Sequence, residues 1–506
     1  MFRSARIVRC ALGICLLLPV LAFAQPIPAP APLSAAEAQR ELRILKRGLS
    51  ELHPGLFRYL TPAEFEAEFA RADAEVAAGS DAQAMYLITT RIAAAVRCGH
   101  TWTNPLNQGP ALQAQLAALP ALPLRLRVVE SRLLVTASAD PAVPANAELL
   151  AVDGRSAGAL IAEFMPYLRA DADSDGKRLS QLETHSSGGA MDRLLPLLYP
   201  PALTGYRLQL RTHEGRLLEV RVPGRPVAER EAVLAAAGSA PEREDWRLEI
   251  DGDTAVMSLS TFAFWNDTFD WRGFLDDGFR TLAEQRVTAL VLDLRQNEGG
   301  SDAIGDALLA RLLTAPYTKP ATRSESAYER VPYALARYLD TWDFDFFDRT
   351  GKVVRGGGRN WQLPWTPARV VEPVAQPYRG AVVALIGPRM SSAGYLIARD
   401  LKASGAATLI GQRTGGNLRG LNGGQLAWLR LPHSQASIDI PLLASFVEGA
   451  PRDGGVDPDI EVRTRLEDVA AGIDPDRVAA RRWLDQHRAG RGGPNQSNPE
   501  GSIGGM

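Results

Sequence analysis

The run GAVVALIGPRMSSAGYLIARDLKASGAATLIG, from Gly380 to Gly411, constrains the fold of this chain more than any other stretch. Ala381 to Ile386 is short, apolar and rich in β-branched residues, which reads as a buried strand. Gly387 and Pro388 stop it, and from Ala393 the apolar positions Leu396, Ile397 and Leu401 recur at helical spacing. A buried strand running straight into a helix is the unit of α/β architecture. Between the two stands the pair Ser391-Ser392. A serine on a tight strand-to-helix turn presents its hydroxyl at the edge of a sheet. The Ala393 N–H just behind it opens the helix, where it can help to stabilise an oxyanion. The same position also suits a plain helix N-cap.

Two further stretches decide between those readings. VTALVLDLRQNEGGSDAIGDALLARLL, from Val287, repeats the grammar: a buried strand over Ala289 to Leu294, a polar turn carrying Gly299-Gly300, then a helix. Paired glycines let the backbone approach a ligand closely and offer unhindered N–H groups. In VRCGHTWTNP, His100 follows an apolar helical segment and Gly99. The motif D-L-R-x-N-x-G-G at Asp293 to Gly300 resembles the signature of the C-terminal-processing (tail-specific) serine proteases. So do S-A-G at Ser392 to Gly394, G-x-R-T-x-G at Gly411 to Gly416, and G-V-x-P-D at Gly455 to Asp459. G-H-T at Gly99 to Thr101 is similar to the branch related to the tricorn protease core and interphotoreceptor-retinoid-binding protein. The resemblance implies an α/β (α+β multidomain) chain with a crotonase/ClpP-like ββα catalytic core. It also implies an acyl-transfer peptidase with Ser392 as nucleophile and protein or peptide substrates.

A serine hydroxyl needs a base to become a nucleophile. In many tail-specific proteases that base is a lysine following T-x-G. Here Thr414-Gly415-Gly416 is followed by Asn417, and Arg413 and Arg419 do not deprotonate near neutral pH. A histidine is the natural substitute. Of the 6 histidines, His53 and His487 read as structural or surface residues, His185 and His213 as loop residues, and His433 as part of a Pro-containing turn. His100 matches the family motif and is the expected base. Through the resemblance, Glu448 before G-V-x-P-D is expected to orient it, with Asp453 as competitor, because Ala450 to Gly454 lengthen the spacing. The expected oxyanion donors are the N–H groups of Gly299 or Gly300 and of Ala393. Tyr395 departs from the glutamate that relatives often place after S-A-x.

Alternatives to the peptidase are a non-proteolytic protein on the same fold binding a hydrophobic ligand or a peptide, and a cysteine hydrolase using Cys98. The second fits poorly, since side chains two residues apart on an extended chain run parallel and do not face each other. No H-E-x-x-H or C-x-x-C spacing occurs, so neither metal nor cofactor is expected. A net charge of −2 gives no case for nucleic acid.

The remaining expectations concern organisation. With 506 residues, two to four domains are expected. Arg3, Arg6 and Arg9 precede the apolar run Cys10 to Phe23 and the small-x-small site before Gln25, so residues 1–24 read as a cleavable signal peptide. The run is short for a membrane span and no second one follows, so an exported, periplasmic or secreted, chain without an integral span is expected. Cys98 is the cysteine of the 3 that outlasts cleavage, which leaves no internal disulfide. Residues 25–118 read as a Pro/Ala linker and helical domain, with Thr61 as N-cap, Pro62 at N1 and Glu64 at N3 of its second helix. Residues 119–226 alternate apolar and polar as antiparallel hairpins do, and are expected to form a β-rich, PDZ-like domain. Within them DADSDGKRLSQLE, from Asp171, imitates half of an EF-hand loop but has Leu182 at the twelfth position, and reads as an acidic solvated turn before a helix. Residues 227–488 are the expected catalytic domain, with an aromatic insertion or lid from Tyr317 to about Tyr378, and 489–506 a disordered tail.

Overall fold

The computed structural model describes residues 32–239, 246–265, 267–356, 358–364, 368–449 and 451–491. The expected leader at 1–24 and the chain beyond residue 491 lie outside the described residues. The last helix runs over Pro475–Arg491, three residues past the expected boundary at 488.

The segment from Arg247 to Glu461 is built on a sheet in the order Ile460–Glu461, Thr408–Gly411, Ala381–Ile386, Ala289–Asp293, Thr254–Ser258, Arg247–Asp251. Its neighbours pair in parallel, except that Arg247–Asp251 closes one edge as an antiparallel hairpin with Thr254–Ser258. Parallel strands covered on both faces explain the unbroken apolar runs seen in the sequence. One face packs Leu290, Leu292, Ala384 and Ile386 against the helices Trp271–Glu284, Asp302–Ala310 and Ser392–Ser404. The other packs Val291, Val383 and Leu385 against Ala480 and Leu484 of the last helix. Because Asp293 pairs with Leu385, the two strands end side by side, and their following turns emerge together.

The amino-terminal helices span Ala35–Leu52, Pro62–Glu75 and Ala82–Ala95. Thr61, Pro62 and Glu64 form the expected capping box. Leu42, Leu45 and Leu49 are buried, but the core they enter is shared with Leu429, Ile438 and Ile440 from the pair Leu426–Arg430 and Ser437–Pro441. A methyl at Gly48 would lie 2.9 Å from Leu429 Cδ1, so the first helix sits directly on that strand. Sequence distant by nearly 400 positions thus completes the helical block.

Residues 124–222 form an antiparallel sheet in the order Leu124–Val129, Arg132–Ser138, Glu148–Val152, Tyr206–Arg211, Leu217–Val222. The turn at Asp153-Gly154 leads, as expected, into the helix Ala157–Phe164. Asp171 is where expectation fails. It is 4 % exposed, not solvated, although the helix expected after the turn does follow, over Asp175–Ser180.

Candidate active site

A cleft of about 2250 Å³ runs along the carboxyl ends of the parallel strands, where α/β sheets place their ligands. Ser392, Gly299, Gly300 and His100 all line it. Ser392 opens the helix Ser392–Ser404 with φ +49, a left-handed conformation for a residue with a side chain. Such local strain persists only where surrounding structure enforces it, and it gathers at functional turns. The Ser391 hydroxyl donates to the Glu298 carbonyl at 3.2 Å, which ties that serine to the neighbouring turn. Ser392 is the hydroxyl in the pair that makes no such bond among the described residues.

Gly299 lies against the serine turn. A methyl there would sit 2.7 Å from Ser392 Cβ and 2.9 Å from both Ala393 N and Ser391 O. With φ +107 at Gly299 and +140 at Gly300, only glycine suits either position. Their N–H groups have different fates. The Gly299 N–H donates to Asn297 Oδ1 at 2.9 Å, and the buried Asn297 donates in turn to the Leu259 carbonyl at 2.9 Å. Of the two alternatives, Gly299 thus has its N–H engaged within its own turn. Gly300 is fixed by a parallel bridge with Phe262, formed by Phe262 N to Gly299 O and Ser301 N to Phe262 O. Neither bond uses the Gly300 N–H. Ala393 is second in its helix, where N–H groups have no partner in their own helix.

His100 stands at the end of the third helix, half-buried in the cleft wall. Its ring lies on Gly423, where a methyl would come within 3.1 Å of Cε1. Nδ1 is buried and has no hydrogen-bond partner among the described residues. Burial pushes the imidazole pKa down, Asp171 pulls it up, and Arg169 and Lys177 push it down again. The ring is therefore biased toward its neutral, proton-accepting form.

The expected orienting acids make no bond to His100 among the described residues. Ser445 and Val447 of the strand Ala444–Val447 face the cleft. Phe446, stacked by Arg58 at 4.2 Å, falls on the opposite side, and so does Glu448 when the strand's alternation is continued. Glu448 is exposed and does not line the cleft. Asp453 accepts from Asn417 Nδ2 at 2.5 Å and pairs loosely with Arg419 at 3.8 Å. The carboxylate that pulls the His100 pKa up is Asp171, which accepts the N–H of the preceding Gly99.

His53, read from the sequence as a structural residue, supports the site from behind, whereas Lys177 escaped the sequence. His53 is fully buried, and its Nε2 lies 2.9 Å from the hydroxyl of Thr101, beside His100. Burial pushes its pKa down to about 3, so it serves as a neutral prop for the G-H-T turn. Lys177 is buried with its chain 3.4 Å from the methyl position of Gly415, in the T-x-G motif that lacks a following lysine. Its ammonium reaches Glu298 at 2.9 Å and the Arg389 carbonyl at 2.8 Å. Burial pushes the Lys177 pKa down to about 8, against the pull of Glu298. Desolvation alone pushes the Glu298 carboxyl up, but Lys177, Arg169 and Arg389 outweigh it and hold it well below the usual range.

Residues 253–462, which contain the strained serine turn and both glycines, match peptidase family S41. The chain carries a peptidase family S41 domain. His100, Asp171 and Lys177 lie outside that domain, on its amino-terminal side. Tricorn protease homolog 1 of Streptomyces coelicolor is 35% identical over 121 residues, 23% of this chain and 10% of that protein. The match thus spans about a tenth of the length of this curated relative. Among solved structures, mature CPAF complexed with lactacystin superposes with a TM-score of 0.60 at 15% identity, covering 90% of this chain and 98% of that one. Mature CPAF gives 0.56 at 14% identity, covering 90% and 96%. At these identities the likeness is one of fold, so the mixed α/β multidomain arrangement extends well beyond the S41 domain.

Proposed function

We propose that this chain is a serine peptidase that hydrolyses peptide bonds of proteins or peptides by acyl transfer. The observation that carries the reading is Ser392, held at φ +49 on a helix N-terminus, packed on Gly299, in a cleft also lined by His100. Ser392 Oγ attacks the substrate carbonyl, and His100 takes its proton. The oxyanion accepts hydrogen bonds from Gly300 and Ala393, donors of a kind worth about 3 kcal/mol each in the transition state. His100 returns the proton to the leaving amine as the peptide bond breaks. A water molecule, deprotonated by the same ring, then attacks the acyl carbonyl, and the ring returns that proton to Ser392 Oγ as the ester bond breaks. No bond joins His100 to Ser392 among the described residues, and such contacts often tighten only when substrate arrives. The sheet and its three covering helices are read as a crotonase-like core, and the antiparallel unit as PDZ-like. Export through a leader at 1–24 belongs to the same proposal and is checked by sequencing the mature amino terminus.

The test is fluorophosphonate labelling of the purified protein beside Ser392→Ala and His100→Ala. Wild type is expected to label, with no labelling of the first variant and at least 100-fold slower labelling of the second. A folded wild type that does not label overturns the peptidase reading and favours a non-proteolytic binding protein for hydrophobic ligands or peptides.

A further inference from the structure

A buried carboxylate needs a compensating partner or a purpose, because desolvating its charge costs several kcal/mol. Asp171 makes no ion pair within 4.0 Å among the described residues. Its neighbours have other partners: the Arg169 guanidinium stacks 3.8 Å over Trp102 and approaches Glu298 at 3.6 Å, and Asp173 pairs with Arg97 at 3.2 Å. Asp171 instead accepts the Gly99 N–H on Oδ1 at 2.9 Å. Its Oδ2 lies 2.7 Å from where a Gly99 methyl would stand, so the carboxylate occupies the space that glycine leaves open.

The contact belongs to a clamp. Ala172 N donates to the Arg97 carbonyl at 3.0 Å, and an Arg169 Nη1 donates to the Gly99 carbonyl. Residues 169–172 thus hold 97–99 at both ends, next to His100. The backbone they hold is strained, with Arg97 at φ +55 and Ala172 at φ +53. From this geometry we infer that Asp171 is the positioning residue of His100: it fixes the turn through Gly99 and sets a negative charge beside the imidazole. The inference rests on the reading of His100 as base. It takes the orienting acid from a segment downstream of the β-rich strands' first half, outside the S41 domain, where Glu448 had been expected.

The charged groups that face His100 are Asp171, Arg169 and Lys177, with neutral His53 behind the turn. Asp171 alone among them favours the imidazolium. Asp171→Asn keeps an oxygen for the Gly99 N–H and removes the charge, so the midpoint of His100 titration moves to lower pH, by about one unit. Two readouts follow it in the intact chain: the acid limb of fluorophosphonate labelling against pH, and the His100 ring resonance by proton NMR. Both are expected to shift down together in Asp171→Asn. Asp171→Ala, which also loses the Gly99 bond, is expected to label at least tenfold more slowly than Asp171→Asn on the plateau. An unshifted His100 resonance in folded Asp171→Asn overturns the inference. If wild type does not label while the resonance still shifts, the peptidase reading fails and the Asp171–His100 pairing stands.

Discussion

The most demanding test of the site is a single methyl group. Gly299→Ala places a carbon 2.7 Å from Ser392 Cβ and 2.9 Å from Ala393 N and Ser391 O. Ordinary carbon contacts begin near ~3.5 Å, so the two turns must part by about 0.8 Å. None of the three obstructing atoms is the end of a flexible side chain: two are backbone, and the third is the first atom of the serine side chain. The displacement therefore falls on the hydroxyl and on the Ala393 N–H together. Misplacing a reacting group by about 1 Å costs on the order of 100-fold in rate. Holding alanine at φ +107 adds roughly 1–3 kcal/mol of backbone strain, or about 2–4 °C of melting temperature for each kcal/mol. The assay is the second-order rate of fluorophosphonate labelling, normalised to folded protein by thermal denaturation. Gly305→Ala supplies the control, since its methyl meets Ile397 Cβ at an ordinary 3.5 Å within a helix that packs on the serine helix. Labelling of Gly299→Ala within threefold of wild type, in a folded sample, would refute the claim that this glycine sets the position of Ser392.

Asn297→Ala removes the acceptor of the Gly299 N–H and the donor to the Leu259 carbonyl, leaving two buried backbone groups unpaired. It is expected to lose about 2–4 kcal/mol of stability in urea denaturation and to label more slowly; unchanged stability would show that the turn does not depend on this side chain. His53→Gln probes a depressed pKa. Wild-type His53 folds neutral with a pKa of about 3, well below the unfolded value near 6.5, so the stability it confers is present above pH 6.5 and is lost as pH falls toward 3. The gap in unfolding free energy between wild type and variant should change by up to ~5 kcal/mol across that window. Parallel acid denaturation curves for the two proteins would contradict the burial argument.

The sequence was most legible where local chemistry and tertiary placement agree. Ala381–Ile386 and Ala289–Asp293 read as buried strands because a parallel sheet covered on both faces leaves no polar alternation to confuse them. Thr61 and Glu64 read as a helix start because a capping box satisfies its own N–H groups within three residues. What escaped depends on partners far along the chain. The leucines of the first helix reveal an apolar face, but not that the face meets Leu429 and Ile440. Asp171 sits in a string of acidic residues that would read identically on a solvated turn. Its burial follows from a glycine, Gly99, that it meets 72 positions upstream. Glu448 shows the converse, for a motif transfers a residue type while strand alternation decides which side of the sheet it faces.

The same contrast separates the two halves of the proposed chemistry. The nucleophile and its oxyanion donors come from consecutive strand-to-helix turns of one parallel sheet, locked by Gly299 against Ser392 and by Gly300 against Phe262. That half lies wholly within residues 253–462, and the base does not. His100 hangs from the amino-terminal helices, is backed by His53 through Thr101, and is clamped by residues 169–172. Its turn therefore rests on the helical block, on that block's completing strands from 426–441 and on the 169–172 segment together. A change that loosens the clamp should spare the serine turn and its packing while weakening the proton transfer. Thermal stability of the sheet and the reactivity of Ser392 are then separable quantities, and Asp171 is the position at which they part.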